Sequence, residues 1–175
     1  MGFDLNWFAV RDKTADAVCG GLGLRRSGER TDFPSPRYAG AELAGGWYLV
    51  VEESARAHVG DAWDLADISK GCEVAAFSVA ETAGYAELLG WRDGELVWAV
   101  RDDPDTGLDL TGDFPAELAG RIAEVRAQLA AASDPDDVDL GDLPTDLGKA
   151  YLGFEYDGLL GAPGDARFER LDATV

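Results

Sequence analysis

A chain of 175 residues with 46% hydrophobic and 28% charged side chains has the make-up of one folded domain, large enough to bury a core without disulfides or metal. Its 34 acidic against 15 basic residues give a net charge of −19, which disfavours DNA, RNA and anionic membranes and favours a basic protein partner. No apolar run is long enough to span a bilayer, and Met1 to Val10 lacks the marks of a secretion signal, so a cytoplasmic location is expected.

In chain order, Phe3, Leu5 and Trp7 alternate with Asp4 and Asn6, the period of a strand. Asp12 or Thr14 then caps a short helix with Ala15, Val18, Cys19 and Leu22 at helical spacing and Gly23 beyond its end. Residues 25–45, rich in Arg, Gly, Pro and Ser and without periodicity, read as a flexible surface loop. Gly46 to Glu53 is a strand with apolar residues on both faces, Trp47, Leu49 and Val51 against Tyr48 and Val50, which suggests an interior position.

Asp61 to Lys70 reads as a short helix capped by Asp61, anchored by Leu65 and Ile68, and ended by Gly71. Glu73 to Ala80 is the expected central strand. Tyr85 to Arg101 is a hairpin around Asp93-Gly94, the residues a type I′ turn demands. A regular register pairs Arg92 with Glu95, Trp91 with Leu96 and Leu89 with Trp98, and places Glu87 opposite Val100 on an apolar face.

A helix from Phe114 to Ala132, started by Asp113, carries the stripe Leu118, Ile122, Val125 and Leu129, with Glu117 and Arg121 paired outside. Residues 133–142 form a second, acidic loop. A helix near 143–152 and strands near 153–156 and 167–171 complete the chain. The expected fold is a single α+β domain over residues 1–175, with about six or seven strands in a mainly antiparallel mixed sheet packed by about three or four helices.

Chemical motifs are sparse. His58, the one histidine, lies between Ser54 and Asp61 without a nucleophile elbow, so it reads as a solvated side chain. Cys19 and Cys72 are expected as buried thiols, and one His with two separated Cys builds no zinc spacing. The acidic runs 102–107 and 134–142 fail the calcium-loop pattern and read as solvated turns. Gly20 to Arg25 lacks the third glycine of a dinucleotide loop, and no phosphate-binding loop is present, so no cofactor or metal is expected. Glu87 is the carboxylate best placed for acid/base work, if it is enclosed. Of five tryptophans, Trp63 is the one expected at the surface.

No run of residues matches the motif of a named family. In size and charge the chain resembles small bacterial immunity or inhibitor proteins, which cap a basic protein. That resemblance implies a non-enzymatic binding protein, with Asp61, Trp63, Asp64 and Asp67 as its expected contact residues. The alternatives are a small enzyme or ligand-binding protein with a carboxylate and tryptophan-lined pocket containing Glu87 and His58, and a structural or regulatory domain. In the last case the acidity reflects genome composition or a salty cytoplasm.

Overall fold

A computed structural model describes residues 4–31, 37–53, 63–134, 138–154 and 168–174. Among them nine strands form one sheet: β1 (Asp4–Arg11), β2 (Leu24–Thr31), β3 (Tyr38–Glu42), β4 (Trp47–Glu53), β5 (Glu73–Ala80), β6 (Tyr85–Arg92), β7 (Glu95–Asp103), β8 (Gly107–Gly112) and β9 (Phe168–Ala173). Their order is β2-β9-β3-β4-β1-β5-β6-β7-β8, and every pairing is antiparallel. Among the described residues four α-helices accompany them: α1 (Ala15–Gly21), α2 (Leu65–Ile68), α3 (Ala116–Ala131) and α4 (Leu143–Leu152). The architecture is α+β.

Nine strands exceed the six or seven expected, because β8 follows an acidic turn after which no strand was read, and β2 and β3 occupy much of the stretch read as a loop. Neither β2 nor β3 carries a legible alternation. β2 is an edge strand irregular between Arg26 and Arg30, and its form is imposed by β9, whose Glu169 accepts hydrogen bonds from Arg26 Nε (2.8 Å) and the Gly28 N–H (2.7 Å). β3 carries small residues at its centre, Ala39, Gly40 and Ala41, and is held between β4 and β9.

Both faces of the sheet are covered. On one, Trp7, Leu49, Val51, Phe77, Leu88 and Val100 pack beneath Leu118, Ile122 and Val125 of α3 and Leu143 and Leu147 of α4. On the other, Phe8, Val10, Tyr48, Val50, Val74 and Ala76 pack with Val18 and Cys19 of α1 and Leu65 of α2. All eight residues of β5 are buried, as expected for an interior strand.

Helix starts differ in detail from the reading of the sequence. Thr14 caps α1 by accepting from the Ala17 N–H, but α2 is capped by Asp64, which accepts from the Asp67 N–H; Asp61 lies outside the described residues. α3 begins after Pro115, because the Asp113 N–H is already donated to Val97 O in the sheet. Arg121 pairs with Glu124 (3.4 Å) rather than with Glu117. After α4, Gly153 takes a left-handed conformation (φ 70°) where a strand was expected to start, and 155–156 lie outside the described residues.

The hairpin turn has the expected geometry, with φ 51° at Asp93 and 87° at Gly94. The register beyond it does not. Trp91 pairs with Leu96, but Gly90 rather than Leu89 pairs with Trp98, so Val97 is an extra residue in β7. A Cβ at Gly90 would lie 2.0 Å from the Trp98 indole, so only glycine lets that ring settle on β6. The insertion sends Trp98 and Val100 to the α3 face and leaves Leu89 and Trp91 on the other. Glu87 therefore faces Arg101 rather than Val100, and Leu96 is 41% exposed.

Gly94→Val should lower the denaturation midpoint in urea. A left-handed conformation costs a side-chain-bearing residue roughly 1–2 kcal/mol, and branching at Cβ adds to it. An unchanged midpoint would contradict the turn.

Candidate functional site

The residues singled out from sequence do not converge on one point. Asp61 and His58 lie outside the described residues. Asp64 and Asp67 are exposed on α2, where Asp64 serves as the cap and Asp67 pairs with Lys70 at 2.7 Å. Trp63 is half-buried. Its ring stands edge-on to Phe8 (5.7 Å) and Tyr38 (5.8 Å), joining it to the α1/α2 face of the sheet.

Glu87 is buried, at 4% exposure, and belongs to a constellation that sequence reasoning missed. On the α1/α2 face, Tyr38, Glu52, Asn6, Ser78, Glu87, Arg101 and Asp109 are successive register partners, a polar row crossing β3-β4-β1-β5-β6-β7-β8. Glu52, Asn6 and Ser78 are each at most 2% exposed. Arg101 Nε donates to Glu87 (3.3 Å), Ser78 Oγ lies 3.4 Å from the same carboxylate, and Arg101 also pairs with Asp109 (3.5 Å). Burial, then the neighbouring Glu87 charge, pushes the Tyr85 phenol up. The signal was present as a polar residue near one end of each apolar strand, but only the pairing aligns them.

Two further buried carboxylates are satisfied by arginine. Glu73 accepts from Arg11 and from Tyr151 Oη (2.5 Å), with Arg92 at 3.4 Å and Arg11 stacked 4.7 Å above the Trp47 ring. Burial pushes the Glu73 carboxyl up, but the Tyr151 and Arg11 hydrogen bonds and the two guanidinium charges outweigh it and hold it below its ordinary value. Glu169 behaves alike: burial is overcome by Arg26 and the Gly28 N–H. Burial raises the Cys19 and Cys72 thiols, which makes them poor nucleophiles.

A different balance holds on the α3/α4 side of β8. There the β7–β8 turn and residues 138–143 enclose a groove of about 640 Å³. Leu108, Leu129, Val138, Leu140 and Leu143 supply its apolar lining, and Asp102, Asp103 and Asp139 its rim. Asp103 accepts from the Asp105 and Thr106 N–H groups, Asp139 from Gly141, and Asp142 caps α4 through the Thr145 N–H. Among the described residues no Lys or Arg forms an ion pair with Asp102, Asp103, Asp139 or Asp142. Burial, then the charges of Asp142 and Asp103, pushes the Asp102 carboxyl up. The acidic runs were read from sequence as separate solvated turns, and the fold brings them together over α3.

The chain has no significant match among protein-family models, curated proteins or solved structures. Its chemistry is therefore read from its own geometry. Among the described residues no group of three or more His, Cys, Asp or Glu side chains is placed to hold a metal ion, and no helix is long and apolar enough to cross a membrane.

Because Glu73 is held below its ordinary value, the stability it contributes is complete above the unfolded-state carboxyl pKa of about 4.3 and is lost as pH falls through the lower folded value. Glu73→Gln should cost about 2 kcal/mol near pH 7, less than a fully enclosed pair because Arg11 and Arg92 reach water. Urea unfolding at neutral and at strongly acidic pH checks this. The penalty should nearly vanish in acid, and an equal penalty at both would contradict the ionic account.

Proposed function

We propose that this chain is a non-enzymatic acidic binding protein that engages a basic protein partner, as the immunity and inhibitor proteins of similar size and charge do. The observation that carries the reading is the groove beneath the β7–β8 turn, where crowded carboxylates meet an apolar floor without an ion-paired Lys or Arg among the described residues. Elsewhere arginines are spent on enclosed carboxylates: Arg11 and Arg92 on Glu73, Arg26 on Glu169, and Arg101 on Glu87. The surplus of negative charge is left facing outward.

Such a groove suits a lysine or arginine side chain. The aliphatic stem lies along Leu108, Leu129 and Leu140, and the charged head meets Asp102, Asp103 and Asp139. The outward field speeds encounter, while the desolvated stem slows dissociation. Exposed Asp64 adds to the field from the other face; Asp67 adds less, because Lys70 partly neutralises it. The same field repels nucleic acids and anionic membranes.

The double variant Asp102→Asn/Asp139→Asn tests the reading against a lysine- and arginine-rich peptide. Association should slow and lose most of its dependence on ionic strength, while Tm rises because the partly buried Asp102 charge, crowded by Asp142 and Asp103, is removed. Unchanged association kinetics would reduce the acidic groove to a solubility feature.

A further inference from the structure

Glu52 is a buried carboxylate for which the described residues supply few donors. It is 2% exposed on β4; its Oε1 lies 3.6 Å from Arg37 Nη2, while among the described residues nothing donates to its Oε2. An enclosed carboxylate oxygen without a donor is costly, and such groups concentrate where a protein meets a ligand. A second deficit of opposite sense lies close by. Tyr38 faces Glu52 across β3 and β4, and its ring touches Trp63, whose Nε1 donor is enclosed without an acceptor among the described residues.

Around this pair stand groups suited to a small charged molecule. Arg37 is exposed, lies 5.1 Å over the Tyr38 ring, and reaches Glu52 only at a distance too long for a hydrogen bond. Tyr38 and Trp63 are half-exposed, so Arg37, Tyr38 and Trp63 form a rim above an enclosed Glu52 and Phe8. One buried carboxylate acceptor, one neutral N–H donor, one exposed guanidinium and three aromatic rings describe the complement of a zwitterion.

We infer that Glu52, Arg37 and Trp63 form a binding site for a small zwitterionic molecule of the amino-acid class. The ligand's ammonium donates to Glu52 Oε2 and lies against the aromatic rings; its carboxylate pairs with Arg37 and accepts from Trp63 Nε1. The site lies on the sheet face opposite to the acidic groove and does not depend on a protein partner.

The probes are glycine, L-alanine, L-glutamate and L-arginine, with N-acetylglycine and glycine betaine as controls that lack, respectively, the ammonium and any N–H donor. The reporter is the indole N–H resonance of Trp63 in ¹⁵N-labelled protein, assigned by its loss in Trp63→Phe. At least one amino acid should shift it saturably, with no comparable shift from either control. Glu52→Gln should weaken binding roughly tenfold or more, the usual effect of losing a charged hydrogen bond. Should that variant fail to fold, Arg37→Met, at an exposed position, should weaken binding several-fold at unchanged Tm. A resonance indifferent to every amino acid, equal shifts from the controls, or binding unaffected in the folded variants would overturn the assignment.

Discussion

A sheet covered on both faces leaves its interior strands no water, so a polar side chain on them must find its partner within the protein or cost stability. The charge arrangement of this chain follows from that constraint. Glu73 and Glu87, on interior strands, and Glu169, on β9, are each met by at least one arginine. With 15 basic residues for 34 acidic ones, cations bound to those sites cannot also neutralise the rim. The unbalanced carboxylates gather where two short segments meet at the margin of the sheet, around Asp102 and Asp139. Internal pairing and external surplus are thus two sides of one allocation.

The one-residue insertion at Val97 has a comparable reach. It turns the outer half of β7 over, seating Trp98 on Gly90 and beneath α3, while Arg101 is aimed at Glu87. Without it Glu87 would face Val100, its charge would lack that arginine, and the polar row would break between β6 and β7. Asp102 shares the Trp98 face and so joins the groove, whereas Arg101 closes the row on the opposite side. The insertion thus decides which face of the sheet each of these two neighbours takes.

Much of the central architecture was legible from the chain. Doubly apolar β4 and β5, the positive-φ turn at Asp93-Gly94, the stripe on α3 and the span of α4 all depend on local pattern and burial. β2 and β3 were not, because their form is imposed by distant β9 and β4 rather than by alternation. The insertion at Val97 was equally hidden, since a regular register satisfies the hydrophobic pattern of the hairpin almost as well. Of the site residues, Glu87 was found for its chemistry but with the wrong neighbour. Glu52 was not found at all, because its burial beside Tyr38 emerges only from strand order. Trp63 was read as exposed because a short acidic helix gives no hint that its flanking tryptophan turns back onto Phe8.

The central claim is that the negative charge is functionally concentrated at the groove instead of being spread evenly for solubility. Mapping backbone amide shifts while a short lysine- and arginine-rich peptide is added tests it most directly. The account predicts that the first and largest changes fall on residues 102–108 and 138–143 and fade as salt is raised. Changes of equal size around other exposed acids such as Asp16, Glu95 and Glu124, with no preference for the groove, would contradict it.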